Sequence, residues 1–183
     1  MKRNPARRFY ALMDSPCGPL STVVDEDGAV LRIEFANGRS AEQMRADLSD
    51  LGFDLQEDEA RTAPLRAQLE EYFAGDRREF DLELAPQGTE FQLRVWSELR
   101  RIPYGATTSY GALSTAIGRP KASRAVGAAN GANPIPIVVP CHRVIGSNGS
   151  LTGFGGGLET KKLLLELEGA SFAGGEQKTL DLS

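Results

Sequence analysis

The chain has 183 residues, 40% of them hydrophobic and 25% charged, which suits a globular protein of one domain or two small ones. No window reaches the roughly 18 apolar residues of a membrane span, and the N-terminal MKRNPARRFYALMDS lacks the apolar stretch of a signal peptide, so a cytoplasmic protein without a membrane partner is expected. The net charge of −4 hides an asymmetry: residues 1–87 carry 11 Lys and Arg against 18 Asp and Glu, net −7, whereas residues 88–170 carry 9 against 5, net +4. A nucleic-acid-facing half joined to a solvating half would show this pattern, although charge alone is equally compatible with chance.

In chain order, RFYALMDS, a PCGPL turn and STVVDEDGAVLRIEF read as strands, with Asp27-Gly28 joining the last two in a hairpin, so an antiparallel sheet is expected. AEQMRADLSDLG (41–52) and APLRAQLEEYFAG (63–75) fit helices, the second stopped by Gly75. Residues 80–84 could add a strand, and APQG (85–88) marks a domain boundary. Thr89 to Gln92 matches a capping box that opens an amphipathic helix over 89–101, with Phe91, Val95, Leu99 and Ile102 at helical spacing.

SYGALSTAIG (109–118) is a second helix, opened by Ser109 and closed by Gly118; after RPKAS a third begins at Arg124 with almost no side-chain bulk (RAVGAANGAN). Two helices across a short turn suggest a helix-turn-helix or a plain helical hairpin. Ala and Gly let that third helix press against another surface while Arg124 projects from it. GLETKKLLLELEG (157–169) is the last helix, and SFAGGEQKTLDLS (171–183) reads as a flexible tail. The fold class is therefore α+β: an N-terminal antiparallel sheet domain with helices over 1–87, and a mainly helical domain with the helix-turn-helix over 88–170.

The chemistry gathers at IPIVVPCHRVIG (135–146). A proline-bracketed apolar run ends at Cys141, beside the only histidine, His142, and Arg143. Free cysteines are most often inert and buried. A nucleophilic one needs a base or a positive environment, because an ordinary thiol with a pKa near 8.5 is only a few per cent ionised at neutral pH. Neighbours in extended backbone point in opposite directions, so contact between Cys141 and His142 requires a tight turn or a bridging water. Glu168 shares a helix face with Leu164, Leu165 and Lys161, where a carboxylate is costly unless paired. It is either the group that orients the imidazole or a frayed end residue. Cys17 and Cys141 lie far apart without metal-ligand spacing, so neither a disulfide nor a metal is expected, and no cofactor. The glycines of GSNGSLTGFGGG, with no Lys-Ser/Thr following, suit a loop that approaches a ligand closely rather than a P-loop.

PCHRV, the preceding SRAVGAANGANPIPIVV, the glycine-rich loop and the LLxxEG helix together resemble the O6-alkylguanine-DNA alkyltransferases over 89–169, with looser agreement in the N-terminal strands. The resemblance implies a direct DNA repair protein that binds duplex DNA containing alkylated guanine through the minor groove as a monomer. It flips the damaged base out of the stack and moves the alkyl group irreversibly to Cys141. It further implies His142 as a water-mediated base, Glu168 as its orienter, Tyr110 as a donor to the guanine ring and Arg124 as the finger that fills the vacated stack. Asn133 would tie the recognition helix to the active-site segment. Ala125, Gly127 and Arg143 are expected at the DNA, and Val144, Phe154, Gly155 and Lys161 around the base. Some relatives hold zinc in the N-terminal domain through Cys and His; this chain lacks the histidines. Two alternatives remain open on these residues, a cysteine hydrolase and a lesion sensor that transfers nothing.

Overall fold

A computed structural model describes residues 7–50 and 54–175. The chain divides into two compact units, Met1–Gln87 and Gly88–Ser183. The first is built on a four-stranded sheet in the order β3-β2-β1-β4, from β1 (Arg7–Met13), β2 (Leu20–Val24), β3 (Val30–Phe35) and β4 (Asp54–Glu57). β1, β2 and β3 pair antiparallel, and Gly28 turns the hairpin between β2 and β3 at φ +87, a conformation only glycine adopts without strain. The three strands expected from the sequence thus form the expected antiparallel sheet, and β4 adds an edge strand parallel to β1, from Arg7 opposite Asp54 to Tyr10 opposite Glu57.

Helix α1 (Ala41–Ser49) carries Leu48 onto Val23 and Leu31, while α2 (Glu59–Phe73) lies along β1 and β2. β2 is accordingly buried at every position. α2 begins four residues before the expected start because Asp58, not the Ala-Pro step, caps it by accepting from the Arg61 amide at 3.0 Å. The strand expected at 80–84 reduces to one bridge, Val30 to Leu84.

In the second unit, Thr89 and Gln92 form the expected capping box at the start of α3 (Glu90–Leu99), with reciprocal bonds of 2.9 and 3.2 Å. Trp96 of α3 covers the position before the cap so closely that a Cβ on Gly88 would stand 2.6 Å from its ring. Its indole donates at 2.8 Å to the carbonyl of Ala129, joining α3 to α5 (Ser123–Gly131). Ser109 caps α4 (Tyr110–Ala116), and Gly118 ends it at φ +70, so α4 and α5 are two short helices across a tight turn, both packed on α3. Two strands of two residues, β5 (Thr108–Ser109) and β6 (Val144–Ile145), pair in parallel and fix the entrance to α4 beside the residues that follow Cys141. α6 (Leu158–Leu167) closes the unit. Of the tail expected to be flexible, 176–183 lies outside the described residues. Residues 171–175 fold back, with Ala173 N–H donating to the Gly149 carbonyl at 2.8 Å.

Candidate active site

The apolar run before Cys141 is a buried turn, not a strand. Ile137 adopts φ +73 with no exposed surface, a conformation a β-branched residue takes only when its surroundings impose it. Asn133 clamps this turn by donating to the Val139 carbonyl at 2.8 Å and accepting from the Ile135 amide at 3.0 Å. Asn130, on the inward face of α5 with Val126 and Ala129, donates to the Cys141 carbonyl at 3.3 Å. Cys141, His142 and Arg143 then form a single 3-10 turn. Three residues per turn spread successive side chains by about a third of a circle, so the opposition that extended backbone would impose does not arise.

Glu168, the cap residue after α6, organises the site, with its carboxylate fully buried. One oxygen accepts from His142 Nε2 at 2.8 Å and Arg143 Nη2 at 2.9 Å; the other accepts from Arg143 Nε at 2.8 Å and the Gly105 amide at 3.2 Å. Burial alone would raise its pKa, but the bonds from His142 and Arg143 outweigh it and hold the carboxyl at about 2. An ionised carboxylate only accepts, so His142 carries its proton on Nε2 and presents a lone pair at Nδ1. That nitrogen is buried and has no hydrogen-bond partner among the described residues. Burial lowers the imidazole pKa against the pull of Glu168, so His142 is neutral at physiological pH and able to take a proton.

Cys141 rests as a thiol rather than a thiolate. Burial pushes Cys141 up to about 11, against smaller opposing effects from an Asn133 hydrogen bond and the charge of Lys161. Lys161 is fully buried; its Nζ donates to the carbonyls of Val144 at 2.6 Å and Thr152 at 2.8 Å, tying β6 to the glycine-rich loop, and burial lowers its pKa to about 8. Beside this turn opens a cleft of about 580 Å³, lined among others by Tyr110, Arg124, Gly127, Phe154 and Gly155. Thr152 Oγ1 donates to Tyr110 Oη at 3.2 Å, and Phe154 packs edge-on against the His142 ring at 6.5 Å between centroids, so the cleft wall reaches the imidazole.

Two family models match the chain: the 6-O-methylguanine DNA methyltransferase DNA binding domain over residues 90–170, and the ribonuclease-like domain of the same proteins over 9–86. The chain belongs to the 6-O-methylguanine DNA methyltransferase family. It is 48% identical over 162 residues to the methylated-DNA–protein-cysteine methyltransferase of Methanosarcina acetivorans, covering 88% of this chain and 99% of that one. It is 49% identical over 159 residues to that of Mycobacterium tuberculosis, covering 87% and 91%. The crystal structure of the M. tuberculosis O6-methylguanine methyltransferase superposes with a TM-score of 0.76 at 45% identity, over 88% of this chain and 92% of that one. A structure of the M. tuberculosis protein in complex with DNA gives 0.75 at 44% identity, with the same coverage.

Within this family frame, the expected residues divide into three groups. Cys141, His142, Glu168 and Asn133 meet at the buried turn, and Tyr110, Arg124, Gly127, Phe154 and Gly155 line the cleft, with Ala125 exposed next to Arg124. Val144 and Lys161 are not in the cleft wall: both are fully buried, and Lys161 braces the Val144 carbonyl from behind. Arg143, expected at the DNA, is instead 6% exposed, with its donors directed at Glu168 and at the Ile102 carbonyl at 2.6 Å, and it holds the carboxylate. Asn130 and Gly105 were missed. Asn130 left a signal, since it stands four residues after Val126 on the buried face of α5, where an amide must be doing something. Gly105 left none, because its part is a backbone amide.

Proposed function

We propose that this protein repairs O6-alkylguanine in duplex DNA by moving the alkyl group to its own Cys141, once per molecule. The observation that carries this reading is the thiol on a rigid buried turn whose adjacent imidazole is kept neutral by burial and oriented by an ionised carboxylate, next to a cleft with room for a purine. The alkylated base, flipped from the stack, enters between Tyr110 and the Phe154-Gly155 segment. Nδ1 of His142 takes the thiol proton through a bridging water as Sγ attacks the alkyl carbon. The Sγ–C bond forms, the C–O6 bond breaks, and the electron pair leaves with the guanine, which Tyr110 stabilises by donating to the ring. Glu168 stabilises the imidazolium so formed. Arg124 occupies the gap left in the duplex, with α4 and α5 acting as a minor-groove helix-turn-helix. The protein acts as a cytoplasmic monomer.

A thioether, unlike an acyl-thioester, has no ready route to release, and Cys17 belongs to the other unit. Incubation with excess duplex carrying O6-methylguanine is therefore expected to remove one lesion per protein molecule and stop. Continued turnover would point to a hydrolase, and binding without lesion loss to a sensor.

A further inference from the structure

Cations are handled differently in the two units. Among the described residues of the first, seven arginines lie within 4.0 Å of a carboxylate, as in Arg39 to Asp47 and Arg77 to Glu71, both at 2.6 Å. In the second, Arg94, Arg119 and Lys121 are exposed and have no ion-pair, hydrogen-bond or ring partner for their side chains among the described residues. Arg94 has Glu90 and Glu98 one helical turn away on α3, yet pairs with neither, and Glu98 is engaged by Arg101 at 3.4 Å. Instead the Arg94 guanidinium leans over the turn between α4 and α5, with Nη2 3.8 Å from where a Cβ on Gly118 would stand. Arg119 and Lys121 follow in that same turn, which the Ala122 amide closes on the Arg119 carbonyl at 2.8 Å. Two residues further on, Ser123 and Arg124 form the rim of the cleft. Between Glu98 and Glu159 the sequence contains no aspartate or glutamate at all, so Arg119 and Lys121 have no counter-charge nearby in the chain.

We propose that Arg94, Arg119 and Lys121 form a phosphate-binding track that carries the backbone of the duplex across the α4–α5 turn to the cleft, a reading that rests on the function proposed above. Three exposed cations unpaired with any carboxylate among the described residues suit a polyanion met through its charge. The track sets register and affinity but reads no base. Each phosphate neutralised contributes about 0.9 to the slope of log affinity against log salt.

The test uses the full chain and a fluorescent duplex carrying O6-methylguanine, with affinity measured by anisotropy across a potassium chloride series. The triple variant Arg94→Gln, Arg119→Gln, Lys121→Gln is expected to bind more weakly and to lose about 2.7 from the slope. Wild-type affinity would then fall roughly 40-fold more than the variant's between 50 and 200 mM salt. Removing the same charge from the first unit, with Arg39→Gln, Arg45→Gln and Arg77→Gln, leaves the slope unchanged. If the track variant does not fold, Lys121→Gln alone is expected to remove about 0.9. An unchanged slope in the track variants, while the wild type still binds and removes the lesion, overturns the track alone, as does an equal loss in the first-unit control. Failure of the wild type to remove the lesion overturns the parent reading instead.

Discussion

Arg45 with Glu57 and Arg143 with Glu168 are both two-point arginine–carboxylate pairs, and only their surroundings differ. The first is on the surface, each side chain 45% exposed, with bonds of 2.9 and 3.3 Å. The second is enclosed, 7% and 0% exposed, with bonds of 2.8 and 2.9 Å. Water competes for the first pair, which therefore adds little to stability. At the second, the desolvation cost has already been met by four donors, so removing any one partner strands a charge where no water can reach it. The same chemistry is decoration in one unit and structure in the other, and only the enclosed pair orients a neighbouring imidazole.

Cys141→Ala is expected to abolish lesion removal while leaving DNA affinity within a few-fold, measured by lesion assay and anisotropy on the same preparation. His142→Ala should slow single-turnover transfer by about 10² to 10⁴, the range a positioned general base supplies. Because burial lowers the His142 pKa, the transfer rate should hold as pH falls to the ordinary imidazole value near 6.5 and decline only below it; a midpoint at or above 6.5 would contradict a neutral resting imidazole. Next in size, Arg143→Met leaves the Glu168 carboxylate short of donors and should cost about 3–5 kcal/mol in denaturant unfolding. Arg45→Met should leave the denaturation midpoint where it was.

Acid sharpens the contrast. Glu168 is held at about 2, below its unfolded value, so its stabilisation is complete above the ordinary carboxylate pKa of 4.5 and drains away as pH falls from there toward 2. Glu168→Gln should therefore be less stable than wild type at pH 7, with the gap closing over that window. A gap that persisted at pH 2 would show that the carboxylate's charge is not what the pair contributes.

Local signals in the sequence located much of this architecture. Thr89 with Gln92, Ser109, Gly118 and Gly28 act within a few residues of themselves, and each appears where its chemistry places it. β4 was invisible because its four residues, DLQE, show no apolar alternation and become a strand only by lying against β1. The Asp58 cap was hidden behind Pro64, which drew the helix start toward itself. At the site, the identities of Cys141, His142 and Glu168 were legible, but the destination of Arg143 was not. A guanidinium beside a thiol in sequence looks available to a phosphate, and only the return of α6 brings the carboxylate that claims it. The protonation of the thiol was equally hidden, since burial outweighs the nearby charges that a sequence displays.

In the proposed reaction the sulfur of Cys141 takes the alkyl carbon and keeps it. Mass spectrometry of the Cys141 peptide after incubation with duplex DNA containing O6-methylguanine is the decisive experiment. One added methylene is expected on that peptide in each reacted molecule, persisting after the DNA is removed. Lesion loss with an unmodified Cys141 peptide, or a methyl group on any other residue, would contradict this reaction.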